Sequence, residues 1–170
     1  MTGVEVHCNP WFRIVQENSN GHEYFRLEAP DSAIMIGVTA DQKIAFVRGT
    51  RVGASYEELY ELPGGVIDPK ENPLRAAIRE AKEETGYAVK SVIGLGDFVQ
   101  APAISSTRCH VFQGEIAAQG KPGLERGENW ETVLLDEAEI YELIACGLIQ
   151  DAATLSAWAK YVVRRRQDER

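Results

Sequence analysis

Residues 65–87 read GVIDPKENPLRAAIREAKEETGY, and this stretch carries the signals of one short helix. Asn72 is a favourable N-cap, Pro73 suits the first helical position, and Gly86 supplies the left-handed residue that commonly follows a helix. Together these signals predict a helix over Pro73–Thr85.

The side chains of this predicted helix divide into three sectors. At about 100° per residue, one apolar face follows the i, i+3, i+4, i+7 rule and consists of Leu74, Ala77, Ile78 and Ala81. The basic residues fall on one flank of that face: Arg75, Arg79 and Lys82. The acidic residues fall on the other flank: Glu80, Glu83 and Glu84. We therefore expect the apolar face to pack on the core and the charges to be sorted by sign.

The three glutamates indicate a site for a divalent metal. Glu80 and Glu84 form an i,i+4 pair of like charge, which costs roughly 0.2–0.5 kcal/mol in water, and Glu83 lies beside both. A bound cation would reverse the sign of this interaction, and hard ions such as Mg²⁺ or Mn²⁺ favour oxygen ligands. An acidic face that is simply solvated is the open alternative from the helix alone.

The loop before the helix extends the pattern. It reads ELPGG over residues 61–65, and its two glycines allow the backbone to approach a ligand closely. From Gly65 onward the chain resembles the Nudix box, G-x5-E-x7-R-E-U-x-E-E-x-G-U with U aliphatic, and it matches at Gly65, Glu71, Arg79, Glu80, Glu83, Glu84 and Gly86. Ala81 and Tyr87 depart from the box, because a larger aliphatic residue is usual at both positions.

Resemblance to the Nudix hydrolase family implies metal-dependent hydrolysis of a nucleoside diphosphate that is linked to another group. It implies that Glu80 and Glu84 are the principal ligands of Mg²⁺, for which Mn²⁺ can substitute. Glu83 would be a further ligand or the base that activates water, with Arg79 orienting it. The Gly64 carbonyl would complete the metal shell, and Glu128, from a later acidic loop, would reach the metals as ligand or base.

Outside the helix the chain reads mainly as strands. A hairpin is predicted from residues 11–17 and 24–28 around the turn residues 18–21, and a second from residues 34–38 and 43–47. Further strands are predicted at residues 57–62, at 88–99 with a break at Gly94 and Gly96, at 108–116 and at Trp130–Leu135. Two helices follow, one capped by Asp136 and ending before Gly147, the other starting at Asp151 with an apolar face of Leu155, Trp158, Ala159 and Val162.

These elements predict an α/β fold with helices on the faces of a mixed sheet. The Nudix resemblance makes this an α/β/α sandwich, preceded by the N-terminal β-hairpin. We divide the chain into an N-terminal strand extension, residues 1–30, and a Nudix hydrolase domain, residues 31–170. The resemblance further implies that the extension helps to build a homodimer.

Over most of its length the chain resembles the ADP-ribose pyrophosphatase branch of the family. The resemblance rests on the aromatic-rich segment 9–14, on Pro102, fifteen residues beyond Tyr87, and on the stretch GLIQDAATL at residues 147–155. It implies that ADP-ribose is cleaved to AMP and ribose 5-phosphate. Two departures leave nucleotide sugars and dinucleoside polyphosphates open as substrates. The chain has RGTR at residues 48–51 where the branch often has RQYR, and SST at residues 105–107 where the branch has an acidic residue.

Four residues are candidates for substrate contact. Arg48 and Arg51 could each bind a phosphate, because a guanidinium offers paired donors, although a surface salt bridge is an open alternative for both. Gly65 allows the backbone to approach the substrate. Trp11 could stack on a base, and the resemblance implies that it would do so from a second subunit; packing in the core or in a dimer is its alternative.

Composition bounds the class of protein. The 170 residues are 44% hydrophobic, which suits one globular domain. A net charge of −8 argues against a general nucleic-acid binder. No apolar run approaches the ~20 residues of a membrane span, so we expect a cytoplasmic protein without a membrane or nucleic-acid partner. The three cysteines and three histidines are scattered and receive no role.

A different class of function uses the same fold. A ligand sensor without catalysis would bind a nucleotide but would have no need of the full set of carboxylates. Because the whole set is present, the sequence favours a hydrolase.

Overall fold

The computed structural model of the chain describes residues 3–50, 58–124 and 129–169. Its strands are β1 (Val4–Cys8), β2 (Arg13–Ser19), β3 (His22–Glu28), β4 (Ser32–Val38), β5 (Ile44–Gly49), β6 (Leu59–Glu61), β7 (Gly64–Val66), β8 (Tyr87–Val99), β9 (Arg108–Gln119) and β10 (Trp130–Leu135). Its helices are α1 (Pro73–Thr85), α2 (Glu137–Ala145) and α3 (Ala152–Asp168).

Helix α1 begins and ends as its sequence predicts. The Asn72 side chain accepts a hydrogen bond from the Leu74 N–H, and Gly86 follows the helix with φ of 74°. The buried residues of α1 are Ala76, Ala77, Ala81, Glu84 and Thr85. The predicted apolar face is therefore correct at two alanines, whereas Leu74 and Ile78 are half-buried at its edge.

The first three strands form a small antiparallel sheet in the order β1-β2-β3. The predicted hairpin between β2 and β3 is confirmed, and its turn places Asn20 and Gly21 at φ of 52° and 79°. Strand β1 was not predicted. All of its side chains are exposed, so it lacks the alternation of burial that identifies a strand in sequence.

The main sheet has seven strands, with β10-β5-β4-β9-β8 in order, β6 beside β5 and β7 beside β4. Strand β4 pairs parallel with β9, and the other pairs are antiparallel, so the sheet is mixed. Side chains alternate across β4. Ala33 and Met35 pack against α1, while Ile34 and Ile36 join the core with α2 and α3. The predicted α/β/α sandwich is confirmed.

Two details correct the predicted elements. Strand β8 is not broken at Gly94 and Gly96, because it continues through register shifts relative to β9. Ala159 does not belong to the apolar face of α3. It is exposed, and the buried residues of that helix are Thr154, Ala157, Trp158 and Tyr161.

Both later helices begin at the predicted caps. Asp136 and Glu139 form a reciprocal capping box at α2, and the Asp151 side chain accepts from the Thr154 N–H at α3. Within the described residues, no helix is long and apolar enough to cross a membrane. Cys8, Cys109 and Cys146 are free thiols.

Candidate active site

The glycine loop lies directly on the carboxylates of α1. The Gly64 N–H donates a hydrogen bond of 2.9 Å to Oε2 of Glu84, whose side chain is only 3% exposed. A Cβ atom added at Gly65 would lie 2.5 Å from Oε1 of Glu80. Only glycine leaves room for the Glu80 carboxylate at this point, which explains why the loop needs a residue without a side chain.

Arg79 is the centre of the charge network. Its Nε and Nη2 donate to the two oxygens of Glu71 over 3.1 and 2.9 Å. Its Nη1 donates to Glu80 over 2.7 Å and to Glu83 over 3.1 Å, and Nη2 also reaches the Val66 carbonyl at 3.1 Å. The predicted sorting of charges by sign is therefore wrong, because the long arginine side chain crosses to the acidic flank and neutralises the repulsion there.

These contacts shift the proton affinities of the two anchoring groups. The hydrogen bond from Arg79 holds the pKa of Glu71 below its ordinary value, although partial desolvation opposes this effect. The hydrogen bond to Glu71 raises the pKa of Arg79, with burial again opposing. Both groups stay charged at neutral pH, and the network persists as an ionic one.

The donor atoms of the site suit a hard cation. The oxygens of Glu80, Glu83 and Glu84 are the type of ligand that Mg²⁺ and Mn²⁺ prefer. One nitrogen of Arg79 already contacts both Glu80 and Glu83, so a single positive centre can reach the two carboxylates. Among the described residues, however, no group of three or more His, Cys, Asp or Glu is placed to hold a metal. In this structure Arg79 gathers two of the carboxylates, while Glu84 contacts the Gly64 N–H.

A cleft of about 1010 Å³ adjoins the glycine loop. Its walls come from five parts of the chain: the N-terminal strands with the loop that joins β1 and β2, the residues before β4 with β4 itself, β6 with the glycine loop and the residues after it, the loop between β8 and β9, and the segment at the start of α3. The charged side chains among its described lining residues are all acidic, namely Glu61, Asp68 and Asp151. A cavity of this size exceeds the roughly 300–1,000 Å³ that is usual for a ligand pocket.

The predicted substrate contacts fall in different places. Trp11 lines the cleft and is 76% exposed, so its alternative as a core residue is wrong. Arg48 is not among the residues that line the cleft. Its guanidinium pairs with Glu131 and with Glu58. The bond to Glu131 raises the pKa of Arg48. Arg51 and Glu128 lie outside the described residues.

Three features of the site were missed from the sequence. Glu71 belongs to the Nudix box, but its role as the anchor of Arg79 was not predicted. Glu61 is a carboxylate only 7% exposed on the cleft wall, and its position two residues after Leu59 in a predicted strand was the available signal, because such residues share one face of a strand. The hydroxyls of Ser105 and Thr107 form a buried pair 2.6 Å apart on the same wall, and no sequence signal indicated this.

The chain is similar to known proteins of one family. Residues 29–154 match the Nudix domain. The chain belongs to the Nudix family. This Nudix chain is 28% identical over 130 residues to an ADP-ribose pyrophosphatase of Bacillus subtilis (strain 168), covering 75% of the chain and 70% of the relative. It is 30% identical over 146 residues to a GDP-mannose pyrophosphatase of Yersinia enterocolitica, covering 84% and 73% respectively.

A solved structure of an ADP compounds hydrolase superposes with a TM-score of 0.80 at 22% identity, covering 99% of this chain and 93% of that one. At this identity the superposition supports the Nudix fold alone. The domain match and the pyrophosphatase relatives together establish a Nudix pyrophosphohydrolase. The predicted resemblance to ADP-ribose pyrophosphatases is confirmed.

Proposed function

We propose that this Nudix enzyme hydrolyses the pyrophosphate bond of ADP-ribose, giving AMP and ribose 5-phosphate, and that it requires Mg²⁺, for which Mn²⁺ substitutes. The observation that carries the proposal is the contact between the glycine loop and two of the α1 carboxylates at the edge of a large cleft. A diphosphate lying in the cleft along Gly64 and Gly65 would come close to the two carboxylates that this loop contacts, Glu80 and Glu84.

The metal-binding roles follow the donor atoms. Glu80 and Glu84 would hold the ion, with Glu83 as a further ligand or as the base, and the Gly64 carbonyl would complete the shell. When bound, a divalent ion supplies charge neutralisation for the two phosphates and lowers the pKa of a coordinated water. The buried position of Glu84 favours this assignment, since a carboxylate removed from water is stabilised by a cation.

Arg79 is proposed to orient the carboxylates and not to contact the substrate. Its side chain is held at one end by both oxygens of Glu71, which leaves Nη1 directed at Glu80 and Glu83. A guanidinium fixed in this way limits the rotamers of both glutamates. Such preorganisation supports catalysis by positioning and electrostatics.

The substrate assignment rests on the cleft and on the relatives. Trp11 offers an exposed aromatic ring on the cleft wall against which a base could stack. Gly65 would let the diphosphate approach the backbone. Arg51 and Glu128 keep their proposed roles, Arg51 in phosphate binding and Glu128 at the metals. Arg48 is proposed as a phosphate ligand only if substrate can displace Glu131, its partner in this structure.

A nucleotide sugar is the second candidate substrate, and the GDP-mannose pyrophosphatase relative favours it. Dinucleoside polyphosphates are the third. Both share the bond to be cleaved, and so both would use the same carboxylates. A sensor on the same fold is the alternative without chemistry.

We further propose that residues 1–30 form a dimerisation extension of a domain that spans residues 31–170. The enzyme would be a cytoplasmic homodimer that binds small nucleotides and no nucleic acid. The apolar side chains exposed on the N-terminal sheet support the homodimer, and they include Val4 at 65% and Phe25 at 54% exposure.

The proposal is tested by incubating the protein with Mg²⁺ and, separately, ADP-ribose, GDP-mannose and diadenosine polyphosphates, and by separating the products chromatographically. Glu83→Gln is the active-site variant. Glu142→Gln, an exposed glutamate on α2, is the matched control. AMP from ADP-ribose, lost in Glu83→Gln and kept in Glu142→Gln, would support the proposal.

Preferential cleavage of another compound would replace ADP-ribose as the proposed substrate, while hydrolysis of a pyrophosphate bond would stand as the proposed reaction. Absence of cleavage, with nucleotide binding retained by calorimetry, would replace the hydrolase with the sensor. Equal activity of the two variants would remove Glu83 from the mechanism.

A further inference from the structure

Thr154 is the third residue of α3, and it is a polar residue with no exposed surface. Its Oγ1 accepts a hydrogen bond of 3.1 Å from the N–H of Leu62, which lies 92 positions earlier in the chain. Its own N–H is held by the Asp151 side chain at 2.7 Å. The hydroxyl is thus a fixed link between the start of α3 and the residues that enter the glycine loop.

The bond to Thr154 acts at a critical point of that loop. Leu62 follows β6 and precedes Pro63, which has no N–H, so the Leu62 N–H is the last backbone donor before Gly64. Gly64 in turn donates to Glu84, and Gly65 packs against the carboxylate of Glu80. The distance between the glycine loop and α1 therefore limits where the side chains of Glu80 and Glu84 can lie.

The start of α3 also forms a wall of the cleft, since Gln150, Asp151 and Ala153 line it. A second hydrogen bond, from the Tyr60 N–H to the Leu148 carbonyl at 3.1 Å, ties the residues before α3 to β6. The segment from Leu148 to Thr154 consequently lines the cleft and also contacts the residues that enter the glycine loop.

We propose that Thr154 is a positioning residue for catalysis. Its hydroxyl sets the glycine loop at the height at which Glu80 and Glu84 bind the metal, and it does so without contact to substrate or metal. This inference rests on the proposed function for the metal and for the reaction. It assigns to the C-terminal helix a part in the geometry of a site that is otherwise built from the Nudix box.

Three substitutions test the hydroxyl. Thr154→Val keeps the shape and removes the acceptor, Thr154→Ala removes the whole branch, and Thr154→Ser restores the acceptor. Since outer contacts of a metal site typically change affinity or activity about 10–100-fold, we expect Thr154→Val to lower kcat about tenfold or more and KM by less than about twofold. Thr154→Ser should stay within about threefold of the wild type.

A second readout does not depend on turnover. The dissociation constant for Mn²⁺, measured by electron paramagnetic resonance without substrate, should rise about tenfold in Thr154→Val and remain near the wild-type value in Thr154→Ser. Ile140→Val is the control, because Ile140 is fully buried in α2 and belongs to the same core cluster as Leu62, while its apolar side chain makes no hydrogen bond to the loop. The variants are compared at temperatures that give the same folded fraction.

Wild-type kcat and Mn²⁺ affinity in Thr154→Val would overturn the inference, as would an equal loss in Ile140→Val or a loss in Thr154→Ser. If Thr154→Val does not fold, kcat and Mn²⁺ affinity are compared between Thr154→Ala, which lacks the hydroxyl, and Thr154→Ser, which keeps it. A wild type that binds Mn²⁺ but cleaves no compound would refute the proposed function, while the Mn²⁺ constants would still decide the role of Thr154. A wild type that does neither contradicts both.

Discussion

Arg79 places one positive charge among the carboxylates that the proposed divalent metal would bind. Its fork binds Glu71 with two parallel bonds and leaves one nitrogen for Glu80 and Glu83. A lysine has no fork and could not hold Glu71 and the helix carboxylates at once. The residue therefore reduces the repulsion among the carboxylates in this structure, and its two bonds to Glu71 would keep it anchored if a metal bound Glu80 and Glu83.

The first prediction concerns Glu71. Glu71→Gln removes the charge that anchors Arg79, so we expect kcat to fall about tenfold or more, as for other residues that orient metal ligands. The folded-state pKa of Glu71 is lowered, so its contribution to stability is present above its unfolded pKa of about 4.3 and is lost as pH falls through the lower folded value. Urea midpoints of wild type and variant should differ at pH 7, and the difference should shrink as the pH falls below about 4.3.

The measurement is made in metal-free buffer, with Glu169→Gln as control, since the Glu169 side chain is 65% exposed and pairs with Arg165 at 3.6 Å. A gap between wild type and Glu71→Gln that persists unchanged to pH 3 would contradict the assignment.

The second prediction compares the two adjacent glycines. In Gly65→Ala the new methyl meets the carboxylate of Glu80, the mobile end of a side chain, so the fold survives and the glutamate moves. In Gly64→Ala the methyl meets the Ala33 carbonyl at 2.5 Å, part of the backbone of β4. Overpacking of this kind typically costs about 1–3 kcal/mol.

We therefore expect Gly65→Ala to lose about a hundredfold in kcat with little change in melting temperature, because small misplacements at a reacting centre are that costly. Gly64→Ala should lower the melting temperature clearly. Calorimetry and steady-state kinetics on both proteins check this, and the reverse assignment of the two effects would refute the geometry of the loop.

For single residues, the sequence predicts which side chains belong to the candidate site better than it predicts the contacts that they make. The spacing of Glu80, Glu83 and Glu84 predicts the proposed metal site, but helical periodicity does not predict that the Arg79 guanidinium reaches across to Glu80 and Glu83. The path of the chain before α1 explains the difference. Lys70 has φ of 71° and the Glu71 N–H bonds to the Asp68 carbonyl, and this turn brings the Glu71 carboxylate back over the helix to Arg79. Helical periodicity contains no information about that turn.

Helices α2 and α3 are joined by an ion pair in addition to their apolar contacts. Arg165 of α3 donates to Glu137 of α2, and Tyr141 donates to the same carboxylate over 2.9 Å. Tyr141 also meets Trp158 edge-on, with ring centroids 6.2 Å apart. These contacts therefore hold α2 and α3 together in the helical layer that packs on the sheet.

The third prediction concerns this pair. Arg165 lowers the pKa of Glu137, which contributes stability above its unfolded pKa of about 4.3 and loses it as pH falls through the folded value. Both side chains are more than a third exposed, so solvent screening limits the effect of Glu137→Gln to about 0.2–1 kcal/mol at pH 7. Thermal unfolding from pH 7 to pH 3 should show this difference disappearing, with activity unchanged at neutral pH. A larger loss at pH 3 than at pH 7 would contradict the assigned sign.

The elements with explicit end signals are those that the sequence predicts best. Caps at Asn72, Asp136 and Asp151 define all three helices of the described residues. The sequence does not predict which strands pair when they lie far apart in the chain. The parallel register of β4 with β9 joins residues about 77 positions apart, as in the pair Ser32 and Cys109, and no local pattern specifies it.

At the scale of the molecule, the cleft exists only after folding. Trp11, Gly65, Ser105 and Asp151 come from four distant segments and line one cavity. The sequence provides the chemistry of the loop and helix, which are continuous in the chain. It does not provide the opposite walls, because their residues are ordinary serines, threonines and apolar residues whose position depends on the sheet.

The last prediction concerns assembly. Among residues 3–28, all described, only Val15 is buried, so the N-terminal sheet has almost no core of its own. Val4 pairs with Gln16 and Gln16 with Phe25, which places the exposed Val4 and Phe25 on one face. A second copy of the chain would cover this face. We expect a mass about twice 18.8 kDa by light scattering, and a melting temperature that rises with protein concentration.

Phe25→Asp should shift the protein to the monomer and remove the concentration dependence, because a charge on the face opposes its burial. Val163→Asp is the matched control, since Val163 is 56% exposed on α3, away from the N-terminal sheet. If the dimer supports the cleft, the Phe25→Asp monomer should also lose kcat/KM for ADP-ribose, since Leu27 of β3 and Trp11, in the loop between β1 and β2, line the cleft. A wild type that is monomeric at all concentrations, or equal dissociation by both variants, would refute the N-terminal sheet as the dimer interface.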